Sequence, residues 1–154
     1  MKTIVLLSCF IITLLVLSAC ERPEKDSIST LSESERSKPI SDSTRLQTIE
    51  DWQKFRKDAG ESLLKAQEKL NLLENQCTDE KSTQKVRLRR VFNSCDYKLE
   101  KLKSKLFRQG IKFRNNIDHF TTEDLLKNES WRTAFNAKLV ALHSSLDEGL
   151  AINP

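Results

Sequence analysis

Glycine, proline and histidine are scarce in this sequence, which has three Gly, three Pro and two His among 154 residues. With so few glycines, a Gly-rich phosphate-binding loop is excluded. The histidines, His119 and His143, lie 24 residues apart, which is not the spacing of metal ligands. Ser144 and Ser145 follow His143 within a helical pattern and have no base on a nucleophile turn. The sequence therefore predicts a protein that is not an enzyme, with no catalytic residue, no cofactor and no metal site.

The same scarcity bears on the fold, because glycine and proline are the residues that most often interrupt helices. Charged residues make up 31% of the chain and aromatic residues only 6%, while Lys, Glu and Leu are abundant. This composition favours long helices over a sheet. We therefore expect an all-α protein.

The amino terminus has the order of a secretory signal peptide. Residues 1–2 supply a positive charge, residues 3–17 are uncharged and mostly apolar, and residues 18–19 are small. We therefore expect residues 1–19 to be a signal peptide. The alternative is an uncleaved membrane helix over residues 3–20, whose 18 residues are at the short limit for a hydrocarbon core of about 30 Å.

Four residues at the end of this segment are more specific, and they read Leu17-Ser18-Ala19-Cys20. They resemble the lipobox of bacterial lipoproteins. The resemblance implies cleavage before Cys20, lipidation of the Cys20 thiol and acylation of the new amino terminus, so that the chain meets a membrane through this lipid. Glu21 stands where enteric lipoproteins of the inner membrane carry Asp. The resemblance therefore favours the outer membrane facing the periplasm, with the inner membrane or the cell surface as alternatives.

The segment after Cys20 has the composition of a disordered tether. Residues 21–47 contain seven Ser, two Pro and no aromatic residue. Such a segment has too little apolar area to offset its ordering entropy. We therefore expect a lipidated, disordered tether over residues 20–47, with a short helix near residues 31–36 as the alternative, and a helical domain over residues 48–154.

Three segments of this domain carry apolar residues at alternating steps of four and three, as in a heptad seam. The first, about 48–77, opens with Thr48 in the position of an N-cap. The second, about 83–108, ends before Gly110, a residue type common after helix ends. The third, about 123–150, follows Thr122, a candidate cap. Residues 111–121 stay ambiguous between a loop and a helix continued beyond a kink.

Short loops between three amphipathic helices predict an antiparallel three-helix bundle or an elongated helical coiled coil. An apolar seam does not say which chain covers it, so self-association through the seams stays open. Trp and Phe near the starts of the first and third helices flank a Lys- and Leu-rich helix, an order over residues 48–146 that is similar to small helical lipoproteins of uncharacterised function. This resemblance implies no active residues, and we expect the aromatic side chains to plug the ends of the bundle.

Positive charge is concentrated in the second helix. Residues 81–114 hold twelve Lys or Arg against two acids, whereas residues 48–80 and 115–154 each have a net charge of −3. One interpretation is pairing with the acidic helices on either side. The other is a docking face for an anionic surface, with contact residues in the run "KVRLRR", and nucleic acid is not expected for an exported chain. The candidate contact residues are Lys85, Arg87, Arg89 and Arg90.

Two cysteines remain after the signal peptide and the lipidated residue, namely Cys77 and Cys95. An even pair in an oxidising compartment is typical of a disulfide. A hairpin that turns near residue 80 would, however, separate them by roughly 18 Å along the helix axes. The sequence leaves open whether they form a disulfide or are reduced core thiols.

These observations predict a lipid-anchored, non-enzymatic helical binding protein of the bacterial cell envelope. One alternative is a self-associating structural spacer of the envelope. Another is an inhibitor or stress-response lipoprotein that docks an anionic target through the basic helix 83–108.

Overall fold

The computed structural model describes residues 32–79 and 83–152. Residues 1–31, which include the predicted signal peptide, Cys20 and the first part of the predicted tether, lie outside the described residues. The described part is helical and contains no β-strand. Its elements in chain order are α1 (Glu33–Arg36), α2 (Asp42–Asp79), α3 (Thr83–Asn116), a 3-10 turn (Ile117–His119) and α4 (Thr122–Leu150).

The three long helices form an up-down-up bundle in which every pair is in contact. Near the start of α2, the Trp52 ring lies 4.8 Å from the Phe113 ring at the end of α3 and 6.0 Å from the Trp131 ring near the start of α4. Helix α3 is therefore antiparallel to both neighbours, while α2 and α4 run in the same direction. This confirms the predicted all-α fold and its bundle architecture.

The predicted seams form the core of the bundle. Their leucines lie almost wholly out of solvent, as Leu73, Leu99 and Leu146 show with 0% of their surface exposed. Burying such a side chain contributes about 1.5–3 kcal/mol relative to leaving it in water. The period of four and three places these residues on one side of each helix, where the other two helices cover them.

Helix α2 begins six residues earlier than predicted. The Ser41 hydroxyl accepts a hydrogen bond from the Thr44 backbone N–H at 3.2 Å, the pattern of a helix N-cap. Thr48, predicted as the cap, lies inside the helix, where its side chain is buried and donates to the Thr44 carbonyl at 2.7 Å. The predicted disordered tether is thus wrong for residues 42–47, and the helical domain starts before residue 48.

Residues 38–40 also belong to the folded unit. The Ile40 N–H donates to the Phe120 carbonyl and the Thr122 N–H donates to the Lys38 carbonyl, both at 3.0 Å. The Ile40 side chain is buried against the bundle end. The chain before α2 therefore has a defined place on the turn between α3 and α4, and α1 matches the alternative of a short helix near residues 31–36.

Helix α3 continues past its predicted end to Asn116. Gly110 is a buried residue inside the helix, where a Cβ atom would lie 4.0 Å from the Arg56 side chain, so this glycine is not a helix end. Residues 111–121, which the sequence left ambiguous, continue α3 as far as Asn116 and then form the 3-10 turn over Ile117–His119. Helix α4 is capped by Thr121, not Thr122, in a reciprocal arrangement with Asp124.

Candidate functional site

Aromatic side chains from all three long helices pack together at one end of the bundle. The Trp131 ring stacks on the Phe135 ring, with 5.1 Å between the ring centroids. The Phe55 ring packs edge-to-face against both rings, with centroid distances of 5.9 Å to Trp131 and 5.8 Å to Phe135. Phe120, in the turn before α4, packs on Phe113 at 5.4 Å. The aromatic residues therefore close this end of the core, as the interpretation of a bundle plug predicts.

An open cavity of about 520 Å³ lies beside this aromatic end, between the end of α3 and the start of α4. Its lining combines aromatic residues such as Trp131 with Lys112, Lys127 and Asn128. Asn128 is only 3% exposed, and neither its side-chain oxygen nor its side-chain nitrogen has a hydrogen-bond partner among the described residues. A buried amide without partners is a cost to stability.

We expect Asn128→Leu to raise the free energy of unfolding by about 1–2 kcal/mol, because the substitution replaces an unpaired buried amide with an apolar side chain of similar volume. Urea titration followed by circular dichroism measures the change. The matched control is Asn136→Leu, at an exposed position about two turns farther along α4. Its free energy of unfolding should change by less than about 0.5 kcal/mol. A loss of stability in Asn128→Leu would mean that the amide holds a partner in solution.

The four basic residues selected from the sequence do not form one site. Arg87 and Arg90 line a groove between α3 and α4. Lys85 and Arg89 lie toward α2, since their charges act on the buried thiol of Cys77. The run "KVRLRR" therefore distributes its cations over both flanks of α3, because consecutive residues on a helix point about 100° apart.

The flank of α3 next to α4 is basic along most of its length. Its charged residues are separated by steps of three or four, with Ser94 in the one neutral position, so they share one side of the helix. They extend over about 37 Å of helix. We call this surface the basic flank, and its cations are Arg87, Arg90, Lys98, Lys101, Lys105, Arg108 and Lys112.

Both acids of α3 lie away from the basic flank. Glu100 pairs with Lys103 at 2.7 Å, and Lys103 also donates to the side-chain oxygen of Gln67 on α2 at 2.8 Å. Asp96 precedes Glu100 by one helical turn and shares its side. The acids of α3 therefore leave the charge of the basic flank uncompensated.

Ion pairs in the described part of the chain do not join α3 to another helix. The one pair between helices links Lys69 of α2 to Asp147 of α4, and the remaining pairs lie within single helices. Among the described residues, therefore, no direct ion pair supports the interpretation in which the cations of α3 pair with acids of the neighbouring helices. Most of the basic flank faces solvent.

The middle of the basic flank borders a groove of about 340 Å³, which we call the lysine cleft. Lys98, Lys101 and Lys105 of α3 meet Lys138 of α4 there, above an apolar floor that includes Leu102 and Leu142. The nearby ammonium group of Lys138 is the main cause that lowers the pKa of Lys105 below its usual range, followed by partial desolvation. Sequence reasoning missed Lys138, because it is a single cation on a helix of opposite net charge.

Cys77 and Cys95 are free, buried thiols. Burial raises the pKa of both thiols, and the nearby Arg89 opposes this rise at Cys77. Because α2 and α3 are antiparallel and Trp52 packs opposite Phe113, Cys95 lies at the same height along the bundle as about residue 70 of α2. Cys77 is seven residues farther along α2. That offset is roughly 10 Å along the axis, beyond the Cα separation of about 7 Å that a disulfide tolerates.

The histidines have separate structural surroundings. His143 Nε2 lies 2.9 Å from the Ser62 hydroxyl, a hydrogen bond that joins α4 to α2. His119 is exposed in the 3-10 turn. Over residues 32–79 and 83–152, no three side chains of the types that bind metals are grouped to share an ion.

No helix in these described ranges combines the length and apolar content needed to cross a bilayer. Comparisons give no further identity: no family model matches the chain, and neither a curated protein nor a solved structure matches it at a significant level.

Proposed function

We propose that this protein is a lipid-anchored, non-enzymatic helical binding protein of the bacterial cell envelope, and that the basic flank is its binding surface. The observation that carries the binding role is the row of seven cations on one side of α3, none of which forms an ion pair with an acid of α2 or α4 among the described residues. Summed over a surface, such charge attracts anionic partners and raises the rate at which they associate.

The proposed anchor is the lipid on Cys20, supported by the match of Leu17-Ser18-Ala19-Cys20 to a lipobox. Twelve residues of chain lead from Cys20 to Ser32, and a chain of that length spans at most about 40 Å. The chain is hydrogen-bonded to the bundle at Lys38, eighteen residues after Cys20, so the segment between the anchor and the bundle is shorter than a tether extending to residue 47. Glu21 favours the outer membrane as the location.

The anchor is tested by growing cells with labelled palmitate and isolating the protein. We expect the wild-type chain to carry the label in the membrane fraction and Cys20→Ala to carry none. Cys9→Ala, in the segment that cleavage removes, is the matched control and should keep the label. Label that persists in Cys20→Ala, or a mature chain that retains Met1, would refute the lipid anchor.

The alternative of a spacer that self-associates through the apolar seams has little surface to use. Ala66, Leu70 and Leu73 are between 0% and 2% exposed within a single chain. A second copy would have to displace α3 or α4 to reach them. The closed core therefore favours binding through the charged exterior over assembly through the seams.

The alternative of an inhibitor or stress-response lipoprotein uses the same basic flank and differs only in the target. Its partner would be an acidic protein whose binding weakens as salt rises, because screening shortens the reach of exposed charges to about 8 Å at physiological ionic strength. Recovery of such a protein in a salt-sensitive complex, lost when Arg87 and Arg90 are replaced with Gln, would favour this alternative.

A further inference from the structure

The lysine cleft brings together like charges that the sequence separates. Lys98, Lys101 and Lys105 occupy successive turns of α3, and Lys138 approaches them from α4. Among the residues that line the cleft there is no acid. Glu148 lines a neighbouring groove farther along α3 together with Arg87 and Arg90, and no ion pair joins it to either arginine. The cleft is therefore the part of the basic flank with the least compensation.

The contact between Lys105 and Lys138 is unfavourable without an anion. Both side chains line the same groove, and the nearby Lys138 ammonium lowers the pKa of Lys105. Leu102, Ala141 and Leu142 line the same groove, and lysine side chains commonly cover such apolar surface with their methylene stems while the ammonium groups stay in water. An oxyanion placed between the ammonium groups would accept hydrogen bonds from both and remove the repulsion.

We propose that the lysine cleft is a docking site for the phosphate groups of an anionic lipid surface, a role that rests on the proposed membrane anchor. The basic flank lies along one side of a single continuous helix, so its cations can meet a plane of charge together. Clusters of four or more Lys or Arg beside a membrane are the usual means of attraction to anionic lipids.

The position of the amino-terminal segment favours the membrane over a distant partner. Lys38 and Ile40 are fixed to the turn between α3 and α4. Lys105 is about eight residues, or roughly 12 Å along α3, from Phe113 at that end of the bundle. The chain from Cys20 to Ser32, which spans at most about 40 Å, is therefore long enough for the cleft to contact the bilayer that holds the anchor.

The test measures how fast each lysine of the full chain reacts with a small acetylating reagent, read by mass spectrometry. The chain is reconstituted in vesicles of phosphatidylcholine alone or of phosphatidylcholine with phosphatidylglycerol. We expect the anionic vesicles to slow acetylation of Lys98, Lys101, Lys105 and Lys138 at least threefold. The exposed lysines of α2, Lys54, Lys57 and Lys65, serve as internal references whose rates should not change.

A pair of double variants separates the cleft from net charge. In Lys105→Gln/Lys138→Gln, Lys98 and Lys101 should lose most of their protection by anionic vesicles. Lys54→Gln/Lys57→Gln removes the same charge from α2 and should leave the protection intact. Circular dichroism of both variants checks that the bundle remains folded. Protection in the wild type should also fall as salt is raised to 0.5 M, because the contact is electrostatic.

Three results would overturn the proposal: equal acetylation rates in both kinds of vesicle, protection spread equally over the α2 lysines, or full protection by inorganic phosphate at the same phosphate concentration. The last result would assign the cleft to a free anion. Cleft protection that persists in an unlipidated Cys20→Ala chain added to anionic vesicles would show that docking stands even if the anchor fails.

Discussion

Trp52→Ala is expected to lower the free energy of unfolding by about 3–5 kcal/mol, the range for removing a large aromatic side chain from a core. Trp52 is 3% exposed and contacts Phe55, Phe113 and Trp131, so it joins all three long helices at one end of the bundle. Its removal leaves a cavity that no single neighbour can fill. Because domains of this size are stable by only about 5–15 kcal/mol, the variant should be partly unfolded near physiological temperature.

Urea titration followed by circular dichroism measures this loss. Tyr97→Ala is the matched control, since Tyr97 is also aromatic and lies in a long helix but is 65% exposed. Its effect should stay within about 0.5 kcal/mol. A loss below about 1 kcal/mol in Trp52→Ala would contradict the packing of the aromatic end.

Gly149→Ala and Gly60→Ala are expected to change stability in opposite directions. At Gly149 a Cβ atom would lie 2.9 Å from Val91 Cγ1 of α3 and 3.2 Å from Leu73 Cδ2 of α2, so α4 packs closely on both helices here. Overpacking of this kind costs about 1–3 kcal/mol. At Gly60, no atom outside its own helical surroundings lies within 4 Å of the added methyl group, so alanine should stabilise α2 by about 0.5–1 kcal/mol.

Thermal unfolding of the two variants and the wild type, measured side by side, shows whether each substitution raises or lowers the melting temperature. Each substitution adds the same methyl group, although Gly60 lies in the middle of α2 and Gly149 next to the last residue of α4, where helix propensity matters less. A loss of stability in Gly149→Ala beside a gain in Gly60→Ala therefore reports the close approach at Gly149. Equal and positive shifts would mean that Val91 and Leu73 move aside at no cost.

The long helices and their core could be predicted from the sequence because a repeating apolar stripe needs only the period of the helix and a partner to cover it. Cys77, Leu99 and Leu146 are examples of residues taken from the stripes that are fully buried. The helix ends were less predictable. Thr48 and Gly110 carry local signals for a start and an end, but packing against other helices places both inside longer helices.

Of the candidate binding surface, the sequence predicted only that positive charge is concentrated in residues 81–114. Counting residues along the chain shows that α3 is basic, and the helical period shows which cations share a flank. Lys138, however, lies more than 30 positions away from Lys105, and the sequence does not give the register between α3 and α4 that places them together. That register depends on side-chain packing, such as the fit of Gly149 against Val91.

The two core thiols set a condition on the order of events during biogenesis. Because α2 and α3 place the sulfur atoms of Cys77 and Cys95 on different levels, a chain in which they were joined could not form this hairpin. In the oxidising compartment that the proposed address implies, the bundle would have to close before an oxidase reached either sulfur. If the chain is exported as proposed, burial of both thiols in the bundle, and not a disulfide between them, would protect them from oxidation.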